Sequence, residues 1–224
     1  MPKLRLAPSI LTADFARLGE EIEAVAPYVD WFHLDVMDGH YVDNLTFGPS
    51  TVEAVRRSCD LPLHVHLMIT DPRKFAPGFA DAGAARISFH PGVTDDAGEV
   101  IESIRALGVG VGLAVHPDSG LEAVGRHLDS LDVVLIMTVR PGFGGQSFLD
   151  EVLPKISEAR KLVDDRAARA EVEVDGGVNL STVDRAVSAG GEILVAGSAV
   201  FDGADPAGAA RRMRRRLEEL EKVS

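Results

Sequence analysis

Short, nearly continuous apolar segments alternate along the chain with longer helix-like segments. The run Val133-Val134-Leu135-Ile136-Met137 typifies the first kind, which indicates parallel strands covered on both faces. The segments that predict strands are 4–9, 31–37, 63–68, 85–90, 109–116, 132–139, 171–175 and 192–197. Predicted helices include 15–26, 49–57, 97–107, 152–166 and 182–189, and Ser181 is the expected N-cap of the last.

This alternation gives eight strand-then-helix units and predicts an α/β fold, a (β/α)8 barrel (TIM barrel), as a single domain over residues 1–224. No Pro- or Ser-rich linker interrupts the pattern. An open doubly wound sheet is the structural alternative. No Gly-x-Gly-x-x-Gly follows the first strand, which counts against a dinucleotide-binding fold. Chemically interesting residues follow the strands, at the end where barrels carry their active sites.

Four side chains of metal-ligating types stand at predicted strand ends. His33 and Asp35 are two residues apart on the second strand and therefore face the same side. His66 lies on the third strand, and Asp175 ends the seventh. A lone inward His is more often a hydrogen-bonded core residue. Four such residues at matched depth favour a shared cation, because buried Asp and His side chains are costly without partners.

Other residues near these positions leave alternatives open. Asp38 is an alternative carboxylate ligand, although strand alternation places it on the opposite face from His33. His64 shares the face of His66 one step deeper, and we interpret it as a core residue or a support for a ligand. The histidines without a ligand-like pattern are expected to be structural or loop residues: His40, His90, His116 and His127.

Three glycine-rich loops follow the sixth, seventh and eighth predicted strands, at 139–146, 175–179 and 196–201. Glycine allows a backbone to approach a ligand closely, or a loop to act as a mobile lid. The loops after strands seven and eight form the recurrent phosphate site of barrels. Each loop alone is equally consistent with a tight turn, but the three in succession favour phosphate binding.

Composition restricts the partners and the compartment. The net charge of −12 argues against a nucleic-acid or anionic-membrane surface, but a local group of backbone N–H donors can still bind an anionic substrate. The single Cys59 cannot form an internal disulfide, so we expect a reducing cytoplasm. Residues 1–10 do not resemble a signal peptide.

A C-terminal helix is also expected, with an apolar stripe formed by Leu217, Leu220 and Val223.

The chain resembles the ribulose-5-phosphate 3-epimerases of the pentose phosphate and Calvin pathways. The resemblance rests on segments that span nearly the whole sequence in the family's order. Together they are highly specific, although each alone is not. They are 7–11, 33–39, 44–49, 66–68, 137–139, 141–146, 174–179 and 195–199.

The resemblance implies 3-epimerisation of D-ribulose 5-phosphate to D-xylulose 5-phosphate, by two-base proton transfer at C3 through a metal-stabilised enediolate. It implies that Asp35 and Asp175 are the acid/base pair and that His33, Asp35, His66 and Asp175 hold one divalent ion. Nitrogen and oxygen ligands suit Zn, Fe(II), Mn or Co. The residues expected to bind the substrate are Ser9, His66, Met37, Met68, Met137, Gly142, Phe143, Gly144, Gly145, Gly176, Gly177, Gly197 and Ser198. Barrels of this kind commonly associate, so a homo-oligomer is expected.

Two alternatives remain open. A hexulose-phosphate 3-epimerase, acting for instance on allulose 6-phosphate, would use the same groups in a longer pocket. A non-catalytic sugar-phosphate-binding barrel is less consistent with the retention of Asp35 and Asp175. Related decarboxylase-type barrels carry a Lys two residues after the second-strand Asp, where this chain has Met37.

The departures from the family pattern are Asp43, His64 (where Asp is expected), His116, Arg140 and the lack of a Glu after Phe89-His90-Pro91-Gly92.

Overall fold

The computed structural model describes residues 3–223, without the side chain of Val223. Met1, Pro2 and Ser224 lie outside the described residues. The first two belong to the segment that is not expected to be a signal peptide. The predicted contribution of Val223 to the apolar stripe of the last helix also lies outside the described part, whereas Leu217 of that stripe is buried.

Eight parallel strands form one sheet. They are β1 (Arg5–Ala7), β2 (Phe32–Met37), β3 (Leu63–Met68), β4 (Arg86–Phe89), β5 (Gly110–Val115), β6 (Val133–Met137), β7 (Glu171–Asp175) and β8 (Ile193–Val195). Their order is β1-β8-β7-β6-β5-β4-β3-β2. The residues after β1 close the gap to β2, because the His33 N–H donates to the Pro8 carbonyl oxygen at 2.9 Å and Ser9 bridges to His33. The predicted barrel is confirmed.

Helices follow the strands on the outside of the barrel. They are α1 (Leu18–Val25), α2 (Pro49–Ser58), α3 (Pro72–Asp81), α4 (Ala97–Ala106), α5 (Glu122–His127), α6 (Leu153–Asp165), α7 (Val183–Ser188), α8 (Ser198–Phe201) and α9 (Pro206–Val223). Side-chain caps fix where some of them begin. The Asp71 carboxylate accepts from the Lys74 N–H, and the Asp96 carboxylate accepts from two N–H groups of the first turn of α4. Within residues 3–223, no helix is apolar over a length that could cross a membrane.

The prediction that Ser181 caps the seventh helix is wrong. Helix α7 begins at Val183, with Thr182 at the cap position. The side-chain oxygen of Asn179 accepts from both the N–H and the hydroxyl of Ser181, at 2.8 and 2.6 Å, so Ser181 belongs to a turn. The Thr182 hydroxyl donates to the carbonyl oxygen of Gly177 at 2.9 Å and ties this turn to the loop after β7.

The barrel interior contains both apolar and polar side chains. Alternation along the strands separates the inward residues from those that pack against the helices. Apolar residues fill the space beside β5, β6 and β8, including Ala114, Leu135 and Ile193. Buried polar residues lie on the adjacent strands β2, β3 and β4 and, across the barrel, on β7, which stands between β6 and β8: His33, Asp35, His64, His66, Arg86, Ser88, Glu173 and Asp175. The fold therefore gathers buried charge where the sequence predicts a site.

Candidate metal and substrate site

The four predicted metal ligands lie together at the ends of β2, β3 and β7. The Nε2 atom of His33 is 3.3 Å from Oδ1 of Asp35 and 3.7 Å from Oδ2 of Asp175. The Nδ1 atom of His66 is 3.0 and 3.7 Å from the same two oxygens. One donor atom from each residue lies within 4.8 Å of the other three, and all four residues are buried. The strand register makes this possible, since Asp35 on β2 is the direct neighbour of His66 on β3.

This cluster fits a divalent cation. The Nε2 atom of His33 is buried and has no hydrogen-bond partner among the described residues. Burial alone would lower the pKa of His33, but the charges and hydrogen bonds of the neighbouring carboxylates raise it well above its ordinary value. The surroundings thus stabilise positive charge at this point. Two imidazole nitrogens and two carboxylate oxygens form a donor set that zinc, ferrous iron, manganese and cobalt accept.

The two aspartates differ in their affinity for protons. Burial opposes the ionisation of Asp35, yet the neighbouring imidazoles of His33 and His66 hold its pKa well below the ordinary value. For Asp175, burial and the charge of Asp35 raise the pKa to about 8. The Ser9 hydroxyl donates to Oδ2 of Asp35 at 2.6 Å. Near neutral pH the cluster, without a cation, therefore contains one carboxylate and one protonated carboxyl group.

Asp38, the alternative ligand considered from the sequence, lies outside the cluster. Its Oδ1 accepts from the N–H groups of His40 and Tyr41 at 2.8 Å, and its Oδ2 accepts from the N–H and hydroxyl of Thr70, also at 2.8 Å. Burial opposes its ionisation, but these donors hold the pKa at about 2. Asp38 therefore anchors the loop after β2, and Asp35 is the carboxylate that lies beside the histidines.

Sequence reasoning missed Glu173. This residue is fully buried, and its Oε1 lies 2.9 Å from Nδ1 of His33 and 3.0 Å from Nδ1 of His64. A signal was available, because Glu173 precedes Asp175 by two residues on one strand and so shares its inward face. His64 is buried behind His66, in keeping with its interpretation as a core or supporting residue.

His90, expected from the sequence to be a structural or loop residue, lies beside one of the predicted ligands. His90 is buried, and its Nε2 lies 3.0 Å from Nε2 of His66. The ring of Tyr41 covers it, with 4.9 Å between the ring centroids. The register places Ser88 beside His66, and His90 lies two residues further on the same inward side. Periodicity within one strand could not reveal this contact between strands.

A cavity of about 530 Å³, including its open mouth, lies over the cluster. All the residues predicted to bind the substrate line it except His66, which is buried below: Ser9, Met37, Met68, Met137, Gly142, Phe143, Gly144, Gly145, Gly176, Gly177, Gly197 and Ser198. Of the lining residues, only Arg140 carries a cationic side chain, and its guanidinium is 3.0 Å from Asp118. An anionic group in this cavity would therefore depend mainly on backbone N–H donors.

The loops after β6 and β7 contact each other closely at Gly177. This residue has φ +66°, and a Cβ atom there would lie 2.4 Å from the amide nitrogen of Phe148. Gln146 holds the β6 loop, because its side-chain amide donates to the carbonyl oxygens of Arg140 and Phe143 at 2.7 and 2.8 Å. The side-chain amide of Asn44 donates to the carbonyl oxygen of Gly142 at 2.8 Å. The cavity wall is thus a set of connected loops.

Comparison with known proteins assigns the chain to a family. The model of the ribulose-phosphate 3 epimerase family matches residues 5–201. The chain is 46% identical over 211 residues to a ribulose-phosphate 3-epimerase of Mycobacterium leprae, covering 94% of each chain. It is 47% identical over 204 residues to the protein of that name from Bacillus subtilis, covering 90% of this chain and 94% of the relative.

A solved structure supports the fold alone. The crystal structure of KGPDC from Streptococcus mutans matches with a TM-score of 0.73 at 16% identity, covering 96% of this chain and 98% of that one. The level of identity to the curated relatives, over nearly the full length of both chains, is what assigns the family. The chain belongs to the ribulose-phosphate 3-epimerase family.

Proposed function

We propose that the protein interconverts D-ribulose 5-phosphate and D-xylulose 5-phosphate, with residues 1–224 acting as one catalytic domain. The observation that carries this proposal is the pair of buried aspartates whose pKa values shift in opposite directions beneath a cavity lined by glycine-rich loops. Two titratable groups with such divergent environments are typical of an acid and a base that act together. The relatives from Mycobacterium leprae and Bacillus subtilis carry the name of this activity.

The reaction needs one group to accept a proton from C3 and another to donate one to the opposite face. Starting from ribulose 5-phosphate, the Asp35 carboxylate accepts the C3 proton, and the electron pair of the C–H bond forms the enediolate. The protonated Asp175 then donates its proton to C3, which inverts the configuration. The reverse reaction exchanges the two roles. His33, Asp35, His66 and Asp175 would hold a divalent ion, which would supply Lewis acidity for the negative charge of the enediolate.

The surroundings of the two aspartates protect the enediolate. Met37, Met68 and Met137 are buried and line the cavity next to the cluster. Their apolar side chains exclude water from the reacting carbon, which limits loss of the intermediate to side reactions. We propose that the loop from Gly142 to Gln146 closes over the bound substrate and completes this exclusion.

Three further expectations belong to the proposal. The resident ion is Zn, Fe(II), Mn or Co, because the donor set does not favour Ca or Mg. The chain works in the cytoplasm without nucleic-acid or membrane partners, in keeping with its net charge of −12 and its single cysteine. It associates as a homo-oligomer, which sedimentation equilibrium of the purified protein checks.

The activity predicts a specific isotope pattern. In D₂O, ribulose 5-phosphate should yield xylulose 5-phosphate with one deuterium at C3, because the donated proton comes from a group that exchanges with solvent. NMR of the product measures this. Absence of both turnover and C3 exchange in metal-loaded protein would leave only a sugar-phosphate binder. A higher kcat/KM for allulose 6-phosphate than for ribulose 5-phosphate would favour the hexulose-phosphate alternative.

A negative charge in the predicted phosphate region should weaken substrate binding. We expect Ser198→Asp to raise KM by about tenfold or more, since two like charges a few Å apart at a protein surface repel by roughly 1–4 kcal/mol. Steady-state kinetics with ribulose 5-phosphate measure the effect. Ser119→Asp is the matched control, because Ser119 is exposed and does not line the cavity. Equal KM values for the two variants would place the phosphate elsewhere.

A further inference from the structure

We propose that Glu173 and His64 act together as positioning residues, which hold His33 in the one tautomer that presents Nε2 to a metal ion and thereby set how tightly the ion is held. This inference rests on the metal site of the proposed function. It assigns a role to a buried layer of the barrel interior below the four ligands. Glu173 and His64 belong to this layer, and neither lines the cavity.

The contacts come from three strands that surround the interior. Glu173 on β7 lies between His33 on β2 and His64 on β3. Its Oε1 is 2.9 Å from Nδ1 of His33 and 3.0 Å from Nδ1 of His64, and its Oε2 is 2.8 Å from the latter atom. An ionised carboxylate only accepts hydrogen bonds, so both Nδ1 atoms must carry the proton.

This requirement determines the remaining ring nitrogens. With Nδ1 of His33 committed to Glu173, Nε2 is the ring atom left for a cation; it lies beside Asp35 and Asp175 and has no hydrogen-bond partner among the described residues. With its proton on Nδ1, His64 accepts at Nε2 from the hydroxyl of Ser88 at 2.7 Å. The four groups Ser88, His64, Glu173 and His33 thus have one consistent arrangement of protons.

The geometry gives Glu173 one role towards both rings. A single carboxylate oxygen lies within hydrogen-bond distance of both Nδ1 atoms, so the Glu173 carboxylate accepts the hydrogen bond from His33. A carboxylate in this position makes an imidazole a better metal donor and fixes its orientation.

His64 distinguishes this chain from the pattern that the family resemblance leads us to expect. An Asp at position 64 would place a second carboxyl group beside Glu173, whereas His64 supplies an N–H donor. His33, His64 and Glu173 also form a group that could itself hold an ion. None of these three residues lines the cavity, whereas Asp35 and Asp175 of the four-ligand cluster do, so we assign protons and not a second ion to this layer.

The test measures metal binding in place of activity. The full-length protein and Glu173→Gln are loaded with Co²⁺, and the loss of the ion to excess chelator is followed by its visible spectrum. We expect Glu173→Gln, which keeps the shape but removes the charge, to bind Co²⁺ about 10- to 100-fold more weakly, with an altered spectrum. His64→Gln should weaken binding by less, since Glu173 keeps its contact with His33.

Leu135→Ala is the matched control, because Leu135 is buried on β6 as the register neighbour of Glu173. It should destabilise the fold without changing the affinity for Co²⁺. If wild type binds no metal, both this inference and the metal site are wrong. If wild type binds and Glu173→Gln retains Co²⁺ equally well, only this inference is wrong.

A second measurement uses the wild-type protein, so it does not depend on whether a variant folds. In Cd²⁺-loaded wild-type protein, ¹⁵N NMR of the histidine rings should show Nδ1–H on both His33 and His64, and metal coupling at Nε2 of His33. An Nε2–H tautomer of His64, or two ions bound per chain, would overturn the assignment.

Discussion

Replacing Asp175 with asparagine should lower kcat by at least about 10² to 10⁴, the factor that a positioned general acid or base contributes. The amide keeps the shape of the carboxyl group but cannot donate the proton that Asp175 carries in the proposed scheme. Burial and the charge of Asp35 favour the protonated form of Asp175, and the substitution removes this proton source. Steady-state kinetics on protein of known metal content measure the effect.

Asp35→Asn should lower kcat by a similar factor, because it removes the group that accepts the C3 proton of ribulose 5-phosphate. Without the Asp35 carboxylate, ribulose 5-phosphate should also fail to lose its C3 proton, whereas Asp175→Asn should retain some C3 exchange without inversion. Deuterium exchange followed by NMR separates the two defects. Asp60→Asn, at an exposed position, controls for the change of residue type. Turnover near that of wild type in Asp35→Asn or Asp175→Asn, with metal still bound, would refute the two-base scheme.

Removal of the ion should lower turnover by about a thousandfold or more, because a Lewis acid contributes several kcal/mol to the stabilisation of developing charge. We expect one ion per chain and recovery of activity with Zn, Fe(II), Mn or Co, but not with Ca. Elemental analysis and assays after chelation measure this. His40→Ala is the control, since His40 is exposed and should leave the metal content unchanged.

Metal binding should release protons near pH 7. The pKa of His33 is raised well above its ordinary value in the metal-free cluster, so this ring holds a proton that a bound cation displaces. The affinity for metal must then rise with pH, because fewer protons remain to be displaced. Calorimetry in buffers of different ionisation enthalpy measures the number released. Binding without proton release, or full activity with calcium, would contradict the proposed site.

Much of the fold could be predicted from the sequence, because eight apolar runs separated by helical segments are typical of one architecture. The strand ends were less accurate. The predicted segment 132–139 becomes β6, which is only Val133–Met137. Beyond Met137, the Thr138 N–H still donates to the carbonyl oxygen of Asp175 at 2.7 Å, and the Thr138 hydroxyl donates to the carbonyl oxygens of Asp175 and Gly176. Periodicity does not reveal such side-chain bonds to a neighbouring loop.

The candidate site could likewise be predicted only in part from the sequence. His33 and Asp35 could be paired from alternation along one strand, and the structure brings both beside His66 and Asp175. Glu173 was missed because a charged residue in a strand is usually solvent-facing, and only the position of its partners across the barrel explains its burial. The contact of His90 with His66 likewise depends on the register between strands.

The ionisable groups buried in the barrel interior have a consequence for engineering. To obtain a catalytically inactive scaffold, the buried ionisable groups cannot be removed one at a time. Each single removal leaves a partner charge unpaired in an interior that solvates it poorly. Glu173, His33 and His64 would have to be exchanged together for apolar residues of equal total volume. We expect such a triple replacement to raise the free energy of unfolding above that of the natural chain and to abolish catalysis.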